Sequence, residues 1–308
     1  MMAVRSFKTG ISGLPSDGRT VLCLAIHRSE PFIHACIRSI LNQTVGNLEV
    51  VLVEDPPFDH AERILKGFND NRITYVRNKR HEGISRSRNR SVEIAHGEHV
   101  FFTDADCAVS RDWVQEGLRS LREFDCVGVE GRTFYVSEEY EPTLSDVVIE
   151  NRRGGRYLTC NIAYRKSIVE HVGGFDERYV RGADVDLALR AMNLGAIHFN
   201  PLMKVCHQRV TRAGFEYVRA AGRVKNRVIR YKKLGKRSLP ERSLAWKIYY
   251  PQRLVAIAVP PLIMGGLLLH RRCRTKEDLR VLPFAYLYVV WERLSLWSMC
   301  AQEKVFLI

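Results

Sequence analysis

The chain lacks several patterns that would assign it quickly. Its eight cysteines, at 23, 36, 107, 126, 160, 206, 273 and 300, include no Cys-x-x-Cys pair. Neither a zinc ribbon nor a dithiol redox motif is therefore indicated, and free thiols in a reducing compartment are expected. No Gly-x-Gly-x-x-Gly follows the first apolar run and no Walker phosphate loop is present, so the two commonest nucleotide fingerprints are missing. Residues 1–13 are polar and broken by glycines, without an apolar h-region, and no secretory signal is expected. No run reaches the roughly 20 clean apolar residues of a comfortable membrane span. Internal repeats and low-complexity tracts are absent too. Acid is scarce: 34 Asp and Glu face 48 Lys and Arg, a formal net charge of +14. Residues 204–242 carry only Glu216 and Glu241 as acids. Such an uneven excess implies an anionic partner, whether nucleic acid, acidic lipid or a phosphorylated substrate. The basic stretch shows no aromatic interleaving of the kind a single-strand binder uses, so nucleic acid is not expected.

What is present reads as alternating strands and helices. Thr20–Ile26 is a short apolar strand, and Ser29 with Pro31 marks a helix start before Ile33, Cys36, Ile37, Ile40 and Leu41 recur at helical spacing. Residues 48–53 form a second strand that ends on Glu54 and Asp55. A helix with Ala61, Ile64, Leu65 and Phe68, a strand over 72–76, and a helix over 85–96 closed by Gly97 follow. Residues 99–102 give a fourth, buried strand that leads into Asp104. This alternation predicts a mostly parallel sheet covered by helices, with ligands at the carboxyl ends of its strands. Beyond it, residues 113–121 read as helix, 126–134 and 159–164 as strand, and 184–193 as a helix opened by carboxylates. Residues 138–155 match no single element.

Asp104 and Asp106 end the fourth strand two residues apart. Alternate side chains of an extended turn point the same way, so the two carboxylates can converge on one hard divalent cation that keeps open positions for phosphate. The competing reading is a polar turn after a strand.

The order of five blocks then resembles inverting family-two nucleotide-sugar glycosyltransferases. They are Ser39-Ile40-Leu41-Asn42-Gln43-Thr44 with residues 48–55; Gly83-Ile84-Ser85-Arg86-Ser87-Arg88-Asn89; Ala95-His96-Gly97-Glu98 with Asp104-Ala105-Asp106; Val172-Gly173-Gly174-Phe175-Asp176-Glu177; and Gly182-Ala183-Asp184-Val185-Asp186-Leu187. The resemblance covers residues 20–210 and implies the GT-A fold. It implies a nucleotide-sugar site from Ala25, His27, Glu54, Asp55, Arg88 and Asp104. Asp55 would meet the nucleobase, Arg88 the phosphates and Asp104 the nucleotide sugar. Glu54 stands where the family commonly has Asp. Asp106 and His207 would hold Mg²⁺ or Mn²⁺, and Asp184 would be the catalytic base of a single displacement. Ala183 replaces the family's usual Glu beside that base. Asp186 reads as a helix-start charge, and His81, where the family often has Asn, receives no role.

The last third differs in composition. A catalytic domain over 1–210 and an extension over 211–308 are expected. Residues 215–234 predict one basic helix. Residues 254–269 and 281–300 are apolar, the first interrupted by Pro260-Pro261, with Arg271, Arg272 and Arg274 between them. An interfacial or re-entrant hairpin on the cytoplasmic leaflet is expected; a helical pair packed on the catalytic domain is the rival. The implied activity is transfer from a nucleotide diphosphate sugar to a glycan or lipid-linked acceptor at an anionic membrane surface. A polyprenyl-phosphate sugar synthase and an inactive glycosyltransferase-like binding protein are the alternatives.

Overall fold

A computed structural model describes residues 20–26, 32–56, 61–211, 214–222, 225–235 and 275–304. His27, the helix start at Ser29 and Pro31, and the apolar segment 254–269 lie outside the described residues.

The first half alternates as its hydrophobic periods dictate. β1 (Thr20–Ile26) and β2 (Leu48–Glu54) are buried along their whole length, as strands covered on both faces must be. α1 (Ile33–Leu41) buries Ile33, Cys36, Ile37 and Ile40, one stripe at helical spacing. α2 (Ala61–Lys66), β3 (Ile73–Arg77), α3 (Ile84–Ile94) and β4 (His99–Asp104) complete it. Then come β5 (Cys107–Val109), α4 (Trp113–Glu123), β6 (Gly128–Tyr135), β7 (Ile162–Arg165), α5 (Lys166–His171), α6 (Ala183–Ala191) and β8 (Ile197–His207).

The eight strands form one sheet in the order β3-β2-β1-β4-β7-β6-β8-β5. β1 pairs parallel with β2 and β4, β2 with β3, and β6 with β8, while β7 runs against β4 and β6. This is the expected GT-A architecture. The register sets Ala25 beside Asp104 and Ile26 beside Glu54 at one edge. One apolar layer, with Phe101, Trp113 and Ile37, lies under α1, α2 and α4; the other, with Phe102, Tyr164 and Phe175, lies under α3 and α6.

Some expectations change. Residues 159–161 form a 3-10 turn, not the start of a strand. The buried Asn161 explains it: its amide donates to the carbonyls of Arg132 and Met203, and its Oδ1 accepts from Trp113 Nε1 at 2.8 Å. β8 carries a bulge opposite Gly131 and Arg132, where Pro201 offers no N–H to a ladder. The single basic helix expected over 215–234 is two helices, α7 (Phe215–Ala221) and α8 (Lys225–Leu234), divided near Gly222.

The second apolar segment lies within a 27-residue helix, α9 (Lys276–Gln302), opened by a Thr275–Asp278 capping box. Asp278 Oδ1 also accepts from the Ser145 amide at 3.1 Å, and Val281, Leu282 and Ala285 bury against Leu144. Leu296 packs on Val228 of α8. One side of α9 is thus packed against the rest of the chain. No helix among the described residues is long and apolar enough to cross a membrane.

Gly117 of α4 shows how tightly the first layer is packed. A Cβ there would lie 2.3 Å from the ring of Phe101, which is fully buried and has no room to swing. Gly to Ala inside a helix gains about 1 kcal/mol of propensity. Overpacking costs about 1–3 kcal/mol, and the stronger effect wins here. Gly117→Ala is expected to lower the thermal midpoint; an increase on calorimetry would show that the layer yields.

Candidate functional site

The carboxyl edge of the sheet gathers four carboxylates in different surroundings. Asp55 follows β2 and is buried. Burial alone would raise its pKa, but bonds from Asn78 Nδ2 at 3.0 Å and from the amides of Glu82 and Gly83 at 2.9 Å outweigh it and hold the group below its usual range. His81 Nδ1 stands 2.7 Å away. The carboxylate is thus held by the β3–α3 turn, and His81, for which no role is expected from the sequence, is part of it. Asn78 and His81 sit more than twenty residues from Asp55, and no local pattern marks the contact.

Glu54 departs from its expected place in the nucleotide-sugar site. Its carboxylate turns away from Asp55, accepting from the Tyr75 hydroxyl and, at 3.4 Å, from the Ala61 amide that opens α2. It is almost fully buried, and its contacts tie β2 to β3 and α2. Ala25 lines the same edge of β1 through its register with Asp104.

Arg88 of α3 donates to Asp104 Oδ1 at 2.7 Å and lies over the Phe175 ring at 5.7 Å. The guanidinium is largely buried and holds Asp104. Asp106 stands on the turn between β4 and β5. His207 ends β8, with Nε2 3.6 Å from Asp106 Oδ1. His207 Nδ1 is 2.9 Å from the Gln208 carbonyl, which can only accept, so Nδ1 donates there and Nε2 is the nitrogen turned towards Asp106. Burial and the charge of Asp104 push the Asp106 carboxyl up. A cation would reverse both effects. The ligand atoms of Asp106, His207 and Cys107 lie within 4.8 Å of one another. An oxygen and an imidazole nitrogen beside an open edge fit a divalent ion such as Mn²⁺.

Asp184 is the second residue of α6, which is preceded by Gly182, whose φ of 82° suits glycine. Burial raises its pKa; the positive charges of Arg88 and Arg230 oppose that rise and Asp104 adds to it. Arg230 of α8 stands beside Gly182, at the start of α6. The guanidinium is so close that a Cβ on Gly182 would lie 2.7 Å from its Nη1. The sequence does not reveal this contact, because Arg230 looks like one more base in a basic helix.

Asp186 is fully buried and is not a solvated helix-start charge. It meets Arg190 at 2.7 Å and Lys233 at 3.0 Å, while Lys233 also reaches Asp176 at 2.8 Å. Hydrogen bonds from Arg178 first, and from Lys233, hold Asp176 far below its ordinary range.

Comparison with known proteins adds the following. Residues 21–173 match the Glycosyl transferase family 2 model. The putative glycosyltransferase EpsH of Bacillus subtilis is 31% identical over 101 residues, covering 32% of this chain and 29% of that protein. The UDP-Glc:alpha-D-GlcNAc-diphosphoundecaprenol beta-1,3-glucosyltransferase WfaP of Escherichia coli is 24% identical over 180 residues, covering 56% of this chain and 70% of that one. The first curated relatives are matched over only 16–38% of their own length. Among solved structures, the mannosyltransferase PcManGT from Pyrobaculum calidifontis, in complex with GDP-Man and Mn²⁺, superposes with a TM-score of 0.61 at 16% identity. That match covers 91% of this chain and 87% of the other. At this identity the likeness shows the fold.

The Asp186 cluster gives a stability test. Asp186→Asn keeps the volume and removes the charge that Arg190 and Lys233 share. Breaking a buried pair costs about 3 kcal/mol or more, and a loss near that size is expected in urea unfolding. An unchanged midpoint would mean that this cluster does not hold α8 in place.

Proposed function

The chain belongs to glycosyl transferase family 2, and from that premise we propose that it is a metal-dependent inverting glycosyltransferase. In this reading it moves a hexose from a nucleotide diphosphate sugar to a lipid-linked or membrane-proximal acceptor. One observation carries the reading. Asp104, Asp106, Asp184 and His207, from distant parts of the chain, meet at one sheet edge, with Asp184 close enough to sense the charge of Asp104.

The roles follow from the surroundings. Asp55, ionised and aimed by amide donors, suits the N–H edge of a nucleobase. Asp104, held by Arg88, faces the nucleotide sugar. Asp106 and His207 would hold Mg²⁺ or Mn²⁺, which when bound neutralises charge on the departing diphosphate. Asp184 takes the proton from the acceptor hydroxyl as its oxygen attacks the anomeric carbon opposite the diphosphate. The raised pKa favours this, because a base works best when its pKa nears the working pH. Ala183 leaves room beside the base where the family usually has a second carboxylate. Residues 1–210 form the catalytic unit in this reading, and residues 211–308 are its extension.

The membrane-facing part of the reading rests on α9 and its neighbours. Leu287, Trp291, Leu294 and Trp297 are 43–50% exposed along one side of this helix, opposite the side packed on Leu144 and Val228. Trp and Leu on an outer helix face, next to basic α8, suit insertion at an anionic cytoplasmic leaflet.

A donor screen reading nucleoside diphosphate release tests the activity. Release is expected from at least one nucleotide sugar, with loss in chelator and recovery with Mn²⁺ or Mg²⁺. Asp184→Asn is expected to lower turnover at least about 100-fold. Because Asp184 must be ionised, the acid limb of the parent profile should lie above the ordinary carboxylate range, in keeping with its raised pKa. Full turnover in Asp184→Asn would mean that the acceptor arrives already ionised. Full activity in chelator would remove the metal.

Sedimentation with anionic vesicles tests the surface. The parent chain is expected to bind, and Trp291→Ser with Trp297→Ser to bind weakly, since both rings are half exposed and support no core. A parent chain indifferent to vesicles would end the membrane assignment.

A further inference from the structure

The loop before β7 is fixed with unusual firmness. Glu130 of β6 is 2% exposed, and its carboxylate accepts from the Gly155 amide, from the Arg156 amide at 3.2 Å, from the Tyr157 amide at 2.9 Å and from Asn151 Nδ2 at 2.9 Å. Asn151 in turn accepts from the Gly154 amide at 2.9 Å and bridges to Thr133. Gly154, with φ of 84°, packs on Phe199, and Gly155 has φ of 78°. A buried carboxylate is costly unless its lone pairs are filled, and here donors from one short loop fill them. A loop that only connects two strands needs no such anchor.

The anchored segment reads Arg152-Arg153-Gly154-Gly155-Arg156. Arg152 is engaged, with Nε 2.5 Å from Glu150 and Nη2 bonded to the Glu138 carbonyl. Arg153 and Arg156 are exposed, and their guanidinium groups have no hydrogen-bond or ion-pair partner among the described residues. Two free guanidinium groups thus stand on a backbone that cannot relax away from them.

The sheet places the loop. Glu130 is in register with Ile162, and Ile162 with Phe102, two residues before Asp104. Tyr164, one residue beyond Ala163 on β7, pairs with Gly128 of β6 and with Val100 of β4, so β7 alone separates the strand that carries Glu130 from the strand that ends on Asp104. In the strand order, β1 and β2, which carry Ala25 and Asp55, lie on one side of β4, and β7 and β6 lie on the other. The loop is therefore on the β7–β6 side of Asp104, away from the Asp55 end.

We propose that Arg153 and Arg156 form an anion subsite for a phosphate group carried by the acceptor. Calling that ligand the acceptor rests on the glycosyltransferase reading. A planar guanidinium pair matches phosphate oxygens, and a fixed backbone lowers the entropy lost on binding. The phosphate can belong to a lipid or to a sugar.

Calorimetric titration of the full chain tests this, with citronellyl phosphate and glucose 1-phosphate as probes after saturation with Mn²⁺ and a nucleoside diphosphate. Binding of at least one probe is expected, and tighter binding of one identifies the source of the phosphate. Arg153→Ala with Arg156→Ala should weaken it on the order of 100-fold, the loss of two charge-assisted contacts. Both side chains are exposed, and a thermal melt confirms that the variant is folded. Arg152→Ala, which removes the same charge from the same loop, should weaken it far less. Equal loss in Arg152→Ala would reduce the effect to diffuse charge and overturn the subsite. So would unchanged affinity in the double variant, or no binding of either probe by the parent chain. A chain that binds probes but no nucleoside diphosphate, tried across the common bases, would instead sink the glycosyltransferase reading and leave the subsite standing.

Discussion

The contact between Arg88 and Asp104 is the one on which the site depends. It joins α3 to the end of β4 at 2.7 Å and sets one carboxylate of the Asp-x-Asp pair in place. Without the guanidinium, Asp104 would face Asp106 and Asp184 as one of three like charges at the sheet edge, with no fixed partner. The neighbouring residue secures the same helix from below. Asn89 accepts from the Phe175 amide at 2.7 Å and donates to the Phe175 carbonyl at 2.9 Å, while Phe175 packs edge-on against Phe102. Two blocks separated by more than eighty residues are thus a single joint.

Once that joint is set, each carboxylate takes its character from its neighbours. Amide donors keep Asp55 ionised, whereas burial pushes Asp106 and Asp184 up. Environments that drive like groups apart in this way are how one edge of a sheet can serve recognition, cation binding and proton transfer together. Glu54 shows the opposite outcome, since its longer side chain is drawn into the packing beside Tyr75.

The positive charge of the last third is partly turned inward. Lys233 bridges Asp176 and Asp186, Lys232 meets Glu303 at 2.7 Å, and Arg227 meets Glu292 at 3.3 Å. These contacts attach α8 to α6 and α9. Part of the basic composition thus serves assembly of the chain, besides any attraction of an outside anion. Composition alone suggests only the latter.

The strands and helices of the first half were legible because their periods are strong: Thr20–Ile26 is apolar throughout, and the stripe from Ile33 to Ile40 repeats at helical spacing. The places of Asp55, Asp104, Asp106 and Asp184 at strand or helix ends were legible for the same reason, since a change from apolar run to carboxylate marks where an element reaches the edge. The sequence also determined that residues 281–300 have apolar character. Only the tertiary structure decided that this segment is a helix docked on Leu144 and Val228, that Glu54 points into the packing, and that His81, Arg230 and Lys233 reach groups far away in the chain. It also decided that Glu130 anchors the loop carrying Arg153 and Arg156. Hydrophobic period is a local property that one strand or helix reveals by itself. The partner of a buried charge is fixed by which distant element the sheet order brings beside it, and no local pattern encodes that.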